Sequence, residues 1–352
     1  MDIYVLDENR NFFTVIDDYI SFIWTERYSK CGDFEIYMPV DINYLLMLKK
    51  GYYLRIPDSD TVMIIEDIYI DTDIENGNYL TVSGRSIESI LDRRIAWGEF
   101  NDAFTEELQN FVSYLLENHV INPSDPDRQI KDFVFMRDDS LDDLEFEAKL
   151  SCDNIYDLIE SLCGTFSVGF KVTLDEDNRF IFKLYSGKDR SYNQNENAYV
   201  VFSPAYDNLI SSNYIDSDRH SKNVTLVAGK GENNDRPLIT VGSGQGLNRR
   251  ELYTDAKNVS SNANGTQLSE EEYIKLLEQT GTQNLVKNAP IISLEANIDP
   301  TGIFKYGEHY SVGDIVQIEN EYGIQGTARI TEFIRSRDIN GFTAYPTFVM
   351  IE

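Results

Sequence analysis

Gly51-Tyr52-Tyr53-Leu54-Arg55-Ile56 leads through a polar turn into Val62-Met63-Ile64-Ile65-Glu66-Asp67-Ile68, and Asn76-Gly77 turns the chain back into a strand from Tyr79 to Val82. The same order recurs near the other end. Gly313 opens Asp314-Ile315-Val316-Gln317-Ile318, a longer turn leads to Ala328-Arg329-Ile330-Thr331-Glu332-Phe333-Ile334, and Asn340-Gly341 returns the chain from Phe342 to Tyr345. Each copy reads glycine, strand, turn, strand with an internal Glu, Asn-Gly, strand. Asn-Gly is a sharp hairpin signal, because a type I′ turn needs positive φ at both central residues and these two tolerate it. The pattern predicts two related β-domains in one subunit; two generic β-meanders are the plainer alternative.

At 352 residues the chain is too long for one ordinary core, and suits roughly two or three domains. Hydrophobic residues make up 41%, and 22 Tyr with 19 Phe favour sheets over helical bundles. Sixty acids against 31 bases give a net charge of -29, which opposes binding to nucleic acid phosphates or anionic lipid. Cys31, Cys152 and Cys163 are odd in number and unlike a disulfide framework in spacing, so a reducing cytoplasm is the expected folding environment. The start, Met1-Asp2-Ile3-Tyr4, lacks the basic region of a secretion signal, and the chain holds no apolar run long enough for a membrane helix.

Residues 1–97 read as a first β-domain, with Asp41 and Ser86 capping short helices and Gly51 available past the end of the first. Residues 98–200 change texture to an inserted α+β domain. Helices are expected from Thr105, with Leu108, Phe111, Val112 and Leu115 on one face, and from Asp153, ended by Gly164. A hairpin follows, from Ser167 to Leu174 and Arg179 to Tyr185. Residues 201–352 read as a second β-domain carrying a helical insertion at about 247–288, where Ser269-Glu270-Glu271-Glu272 is a capping box. Within it, 201–228 is expected to pack back on the first domain.

Chemistry-bearing patterns fail on residue type. His119, His220 and His309 form no metal-binding pair, and His119 reads as a favourable charge in the last turn of its helix. Asp71-x-Asp73-x-Glu75 has Asn76 in place of the calcium-loop glycine and Val82 in place of the bidentate Glu. Asp175-x-Asp177 and Asp216-x-Asp218 fail at Arg179 and His220, and the acidic run Asp138 to Glu147 suits a solvated edge. Gly229-Lys230 is followed by Gly231, not Ser or Thr, and Val241 breaks a nucleophile elbow around Ser243. No catalytic, cofactor or metal residue is assigned.

An ordered set of segments resembles the tail-hub, or tail-associated, proteins of long-tailed bacteriophages. The set comprises Gly32-Asp33-Phe34-Glu35-Ile36 to Pro39, Gly84-Arg85-Ser86-Ile87-Glu88-Ser89-Ile90-Leu91 to Arg94, Asn208-Leu209-Ile210-Ser211-Ser212, Lys222 to Gly229, Arg250-Glu251-Leu252-Tyr253-Thr254-Asp255-Ala256, Gly313-Asp314-Ile315-Val316 and Ala328-Arg329-Ile330-Thr331-Glu332. The resemblance spans nearly the whole chain. It implies a mainly β fold with an α+β insertion, two tail-tube-like β-barrel domains per subunit, and a homotrimer forming a pseudo-sixfold ring, similar to the central hub of contractile-tail baseplates. It also implies a structural rather than enzymatic protein of the virion tail tip, made and assembled in the bacterial host cytoplasm. The implied partners are the distal tail protein, the tail tube, the tape-measure protein and receptor-binding or tip proteins, with DNA passing through unbound. Relatives often carry C-terminal hydrolase or host-binding modules; here such activity is expected in a partner, because the sequence ends just past the second β-domain.

Edge strands must be paired or covered, so Gly51, Tyr53, Gly313, Ile315, Asn223, Val224 and Leu226 are the expected ring-forming positions. The helix near Ser269 to Gln279 is the expected outer contact. Two other readings stand beside the hub: a tail-tip cell-wall hydrolase or carbohydrate-binding module, and the hub of a phage-tail-like injection machine.

Overall fold

The computed structural model describes all 352 residues except 76, 99, 142–143, 233–234, 260, 264–265, 299–301 and 352, and omits the side chains of 100–106, 145–149, 151, 262–263, 266 and 293–297. Asn76 of the first turn, the centre of the acidic run at 142–143 and the loop residues 233–234 therefore lie outside the described residues.

The first section holds β1 (Ile3–Leu6), β2 (Phe12–Ile16), β3 (Ser21–Arg27), β4 (Asp33–Pro39), α1 (Ile42–Met47), β5 (Tyr53–Arg55), β6 (Met63–Asp73) and β7 (Gly77–Ser86). Strict alternation makes the strands: in β4, Phe34, Ile36 and Met38 are buried and Glu35 is exposed. They pack with Phe22, Trp24, Leu80 and Val82 into one core. Asp41 caps α1 by accepting from Asn43 N–H, but the helix stops at Met47, short of Gly51. Ser86 precedes a 3-10 turn, Ile87–Arg93, without capping it; its hydroxyl oxygen instead accepts from Gly32 N–H at 2.7 Å.

The middle section holds β8 (Phe100–Glu107), α2 (Leu108–Leu116), β9 (Phe133–Met136), β10 (Glu145–Ser151), α3 (Ile155–Phe166), β11 (Gly169–Leu174) and β12 (Phe180–Tyr185). The first helix starts at Leu108, because Phe100–Glu107 is extended and pairs with β10. The second runs past Gly164 and ends at Ser167, which takes the left-handed conformation. β9 lies parallel to β12. The core of this section is continuous with Val62, Ile64, Ile87, Ile90 and Leu91 of the first, so the two share one apolar cluster.

The last section holds β13 (Val201–Phe202), β14 (Leu209–Ser217), β15 (Val224–Ala228), β16 (Leu238–Gly242), β17 (Glu251–Asp255), β18 (Asn262–Ala263), β19 (Thr266–Gln267), α4 (Glu270–Lys287), β20 (Ile291–Ile298), β21 (Ile315–Glu319), β22 (Gln325–Asp338) and β23 (Gly341–Ile351). β14 pairs with β20 rather than with the first section. β15 is the middle of a separate sheet, β16-β15-β17, with α4 packed against it.

Among the described residues, thirteen strands form one sheet in the order β14-β20-β23-β22-β3-β4-β7-β6-β5-β1-β2, with β21 attached to β22 and β13 to β21. Both halves of the chain thus belong to one ladder, joined where β22 pairs with β3. Among the described residues the ladder is open, with no pairing between its ends.

The two copies of the opening unit match at the level of single hydrogen bonds. Gly51 N–H donates to Ile65 O at 2.8 Å and Ile65 N–H to Tyr52 O at 2.9 Å; Gly313 N–H donates to Ile330 O at 2.7 Å and Ile330 N–H to Asp314 O at 2.9 Å. Gly51 and Gly313 have φ of 86° and 96°, values that favour glycine. Ile65 pairs with Gly84 and Ile330 with Phe348, and in each hairpin the next residue, Glu66 or Thr331, is a β-bulge. The two internal Glu residues are therefore offset by one: Glu66 corresponds to Thr331, and Glu332 to Asp67. The turns differ from the expected type I′. Asp338 pairs with Gly341 around Ile339 and Asn340, and Gly341 but not Asn340 has positive φ. In the first copy Asp73 pairs with Gly77 across three residues. Both turns begin with an Asp whose Oδ1 accepts from the N–H two residues on, at 2.7 Å in each.

Candidate assembly interface

The join between the halves is made by one long strand that changes partner. Upstream of the bulge at Thr331, β22 pairs with β21; downstream, Glu332 to Arg337 pair antiparallel with Arg27 to Phe22 of β3. In the row Gly84-Phe34-Trp24-Arg335-Ala344, which crosses from one half to the other, Arg335 occupies a core position. It is 5% exposed and pairs with Glu26, 6% exposed. The Glu26 carboxylate also accepts from Ser59 Oγ at 2.7 Å and Tyr306 Oη at 2.7 Å. Tyr306 stacks on Phe333 at 3.8 Å, and the Arg335 guanidinium lies over both rings. Desolvating such a pair is costly, and these added hydrogen bonds and ring contacts are what offset it. Nearby, Arg27 donates to Glu332 at 2.6 Å and pairs with Asp33 at 2.5 Å, tying the two halves a second time.

Tyr28, just past β3, ties in the middle section. Its N–H donates to Thr331 O at 3.0 Å, its carbonyl accepts from Phe170 N–H at 3.1 Å and its hydroxyl donates to Ser167 O at 2.9 Å. Gly313 lies against this ring so closely that a Cβ there would sit 2.3 Å from it. Glycine is required at 313 by both its φ and this contact. At Gly51, among the described residues, nothing lies within 4 Å of where a Cβ would sit.

One face of the joined sheet is polar. The row Asp67-Ser83-Glu35-Ile23-Ser336-Thr343 runs across both halves, and beside it lies Arg85-Asp33-Thr25-Ile334-Tyr345. Asp67 and Glu35 are exposed. Arg85 is held by Glu66 at 2.8 Å and Asp92 at 3.1 Å, so its charge is compensated. A cavity of 1120 Å³ opens where the three sections meet, lined by Glu26, Arg27, Glu88, Lys171, Tyr306 and Arg335 among others. Burial holds the Glu88 carboxyl above the usual carboxylate range; its Oε1 accepts from Val172 N–H at 2.7 Å.

The positions expected to form the ring are distributed differently. Gly51 and Gly313 head the equivalent units. Tyr53 is buried against Phe180, and Ile315 is paired with Arg329 on one side and bridged to Asp189 on the other. Asn223, Val224 and Leu226 lie at the small sheet, where β15 has both edges filled; Val224 is buried and Leu226 is exposed on the face away from α4. The edge argument for these three does not apply there. His119 is not a helix-end charge: it is buried, and burial followed by the nearby Arg128 pushes its pKa down to about 4. Glu26, Tyr28, Tyr306 and Arg335 do not stand out in the sequence. The signal available is an acid and a base of opposite sign, each within an apolar strand pattern, Trp24-Thr25-Glu26 and Phe333-Ile334-Arg335.

Among the described residues no group of three or more His, Cys, Asp or Glu is gathered to hold a metal, and no helix is long and apolar enough to cross a membrane. The geometry is that of a β-protein built from two equivalent edge-joined units. The chain belongs to the Siphovirus ReqiPepy6 Gp37-like protein family, whose sequence model matches residues 2–348. The expected kinship with proteins of long-tailed phages therefore holds at the level of the family. Its fold is shared with the 43 kDa tail protein of prophage MuSo2 from Shewanella oneidensis, at TM-score 0.60 and 15% identity over 99% of this chain and 98% of that one. It is shared also with a tail protein from Neisseria meningitidis MC58, at TM-score 0.57 and 10% identity over 99% and 95%. Prophage tail protein gp18 from Listeria monocytogenes EGD-e follows at TM-score 0.51 and 15% identity over 99% and 94%. No curated protein matches the chain.

Proposed function

We propose that this protein is the structural hub of a phage tail tip, a homotrimer whose six β-units form a pseudo-sixfold ring between the tail tube or distal tail ring and the tip. The observation that carries the reading is the hydrogen-bond-level equivalence of the Gly51 and Gly313 units within one ladder. A subunit made of two equivalent units, three times repeated, matches a sixfold tube while using threefold contacts. In this reading residues 1–97 and 201–352 supply the two tube-like barrel modules, and 98–200 is the inserted α+β part. The small sheet with α4, within 201–352, is an outer contact for a neighbouring tail protein.

The polar face carrying Glu35 and Asp67 lines the pore in this arrangement. DNA slides past carboxylates because a surface that releases no phosphate counterions gains no affinity for it. The role in this reading is structural rather than enzymatic. Sedimentation equilibrium of the purified protein tests the reading: a mass three times that of the chain is expected, and a monomer persisting at high concentration overturns it.

A further inference from the structure

The equivalence of the two units fixes more than their likeness, because one of the two equivalent joins is made inside the chain, and among the described residues the other is not. Aligning Ile65 with Ile330 sets Asp67–Thr72 of β6 equivalent to Glu332–Arg337 of β22. Gly84 pairs with Phe34, which pairs with Trp24; Phe348 pairs with Leu294, which pairs with Tyr214. Position by position, Ser212–Ser217 of β14 is therefore the counterpart of Phe22–Arg27 of β3. Within the chain, the β22 segment receives the β3 segment. Among the described residues, the outer edges of the β6 segment and of β14 receive no strand.

We propose, resting on the hub reading, that the β6 edge of one copy pairs antiparallel with the β14 edge of a second copy, in the register of the internal join. Asp67 then lies opposite Ser217, Ile68 opposite Asp216, Tyr69 opposite Ile215, Ile70 opposite Tyr214, Asp71 opposite Asn213 and Thr72 opposite Ser212. Three further observations favour this occupant. Tyr69, Ile70 and Ile215 are 63%, 46% and 40% exposed, and neither edge carries the Pro or Lys with which free edges are protected. The register sets no acid directly against another, whereas a slip that brings Asp67 opposite Asp216 does. The space beside Gly51, filled by Tyr28 at Gly313, is open to receive the incoming chain.

The test is oxidative cross-linking of a Tyr69→Cys/Ile215→Cys variant, with each single variant and Tyr69→Cys/Tyr214→Cys as controls for the free native cysteines and for register. Disulfide-linked dimers and trimers from the first pair alone are expected. A trimeric mass without that cross-link overturns the edge pairing and leaves the hub reading standing; a monomeric mass overturns both. Hydrogen exchange of the unmodified protein gives an independent reading. Amides of Asp67–Thr72 should slow by about tenfold or more on assembly, and unchanged exchange in a demonstrated trimer overturns the pairing.

Discussion

Arg335 shows how much one side chain carries at the join. It replaces an apolar residue in a core row, and its charge is balanced by Glu26, which is in turn held by Ser59 and Tyr306. Removing one partner leaves the other as an uncompensated buried charge, so Arg335→Met should lower unfolding free energy by about 3–5 kcal/mol in urea titration, and Glu26→Gln in the same background should recover part of that loss. His119 gives a prediction in pH. Its folded-state pKa lies near 4, below the ordinary imidazole value of 6.5. The unfolded chain therefore takes up a proton in that window while the folded chain does not, and His119 favours unfolding progressively as pH falls from 6.5 toward 4. An NMR titration should show the imidazole neutral at pH 5.5, and His119→Phe should flatten the acid limb of the stability curve. Neither role is written in the residue itself. A lone His after a helix and a lone Arg in a strand acquire them from distant packing.

Elements were legible where their signals are local. The box at Ser269 and Glu272 is present as read, with Ser269 N–H donating to Glu272 Oε2 at 2.8 Å and Glu272 N–H to Ser269 Oγ at 3.3 Å. Ser269→Ala should cost about 1 kcal/mol of stability, seen as faster amide exchange in the first turn of α4. The equivalent units were legible because glycine, hydrophobic alternation and turn residues all act over a few positions. β8 was not, since Phe100, Ala103 and Phe104 also fit the spacing of a helix face and run straight into the true helix at Leu108. β9 is a four-residue apolar run, Phe133–Met136, whose parallel partner β12 begins only at Phe180, beyond β10, α3 and β11; a pairing of that span leaves no short-range mark. β15 has the composition of a ring strand, yet its neighbours are β16 and β17, and the cover on its inner face comes from α4. The β22–β3 join links Glu332 to Arg27, at opposite ends of the chain, and only the three-dimensional register exposes it.

At the scale of the whole molecule, net charge and face polarity act together. With a net charge of -29 and Glu35 and Asp67 exposed on the polar face, the protein should give no mobility shift with duplex DNA even at about 50 mM salt, where phosphate-binding proteins hold most tightly. Retention of DNA at that salt would remove the pore-lining proposal. The resemblance read from sequence pointed to the family, and the family match bears it out; the ladder adds that the halves are fused edge to edge. That fusion has a geometric corollary. The angle at which β3 meets β22 is set within a single chain by Glu26, Arg335 and Tyr28, before any neighbour arrives. If copies repeat the same step, a small error in that angle is multiplied at every addition, and a ring that misses closure continues as a spiral. The buried ion pair is then a protractor for the assembly, and substitutions there that leave the subunit folded should appear under the electron microscope as open helical filaments in place of closed rings.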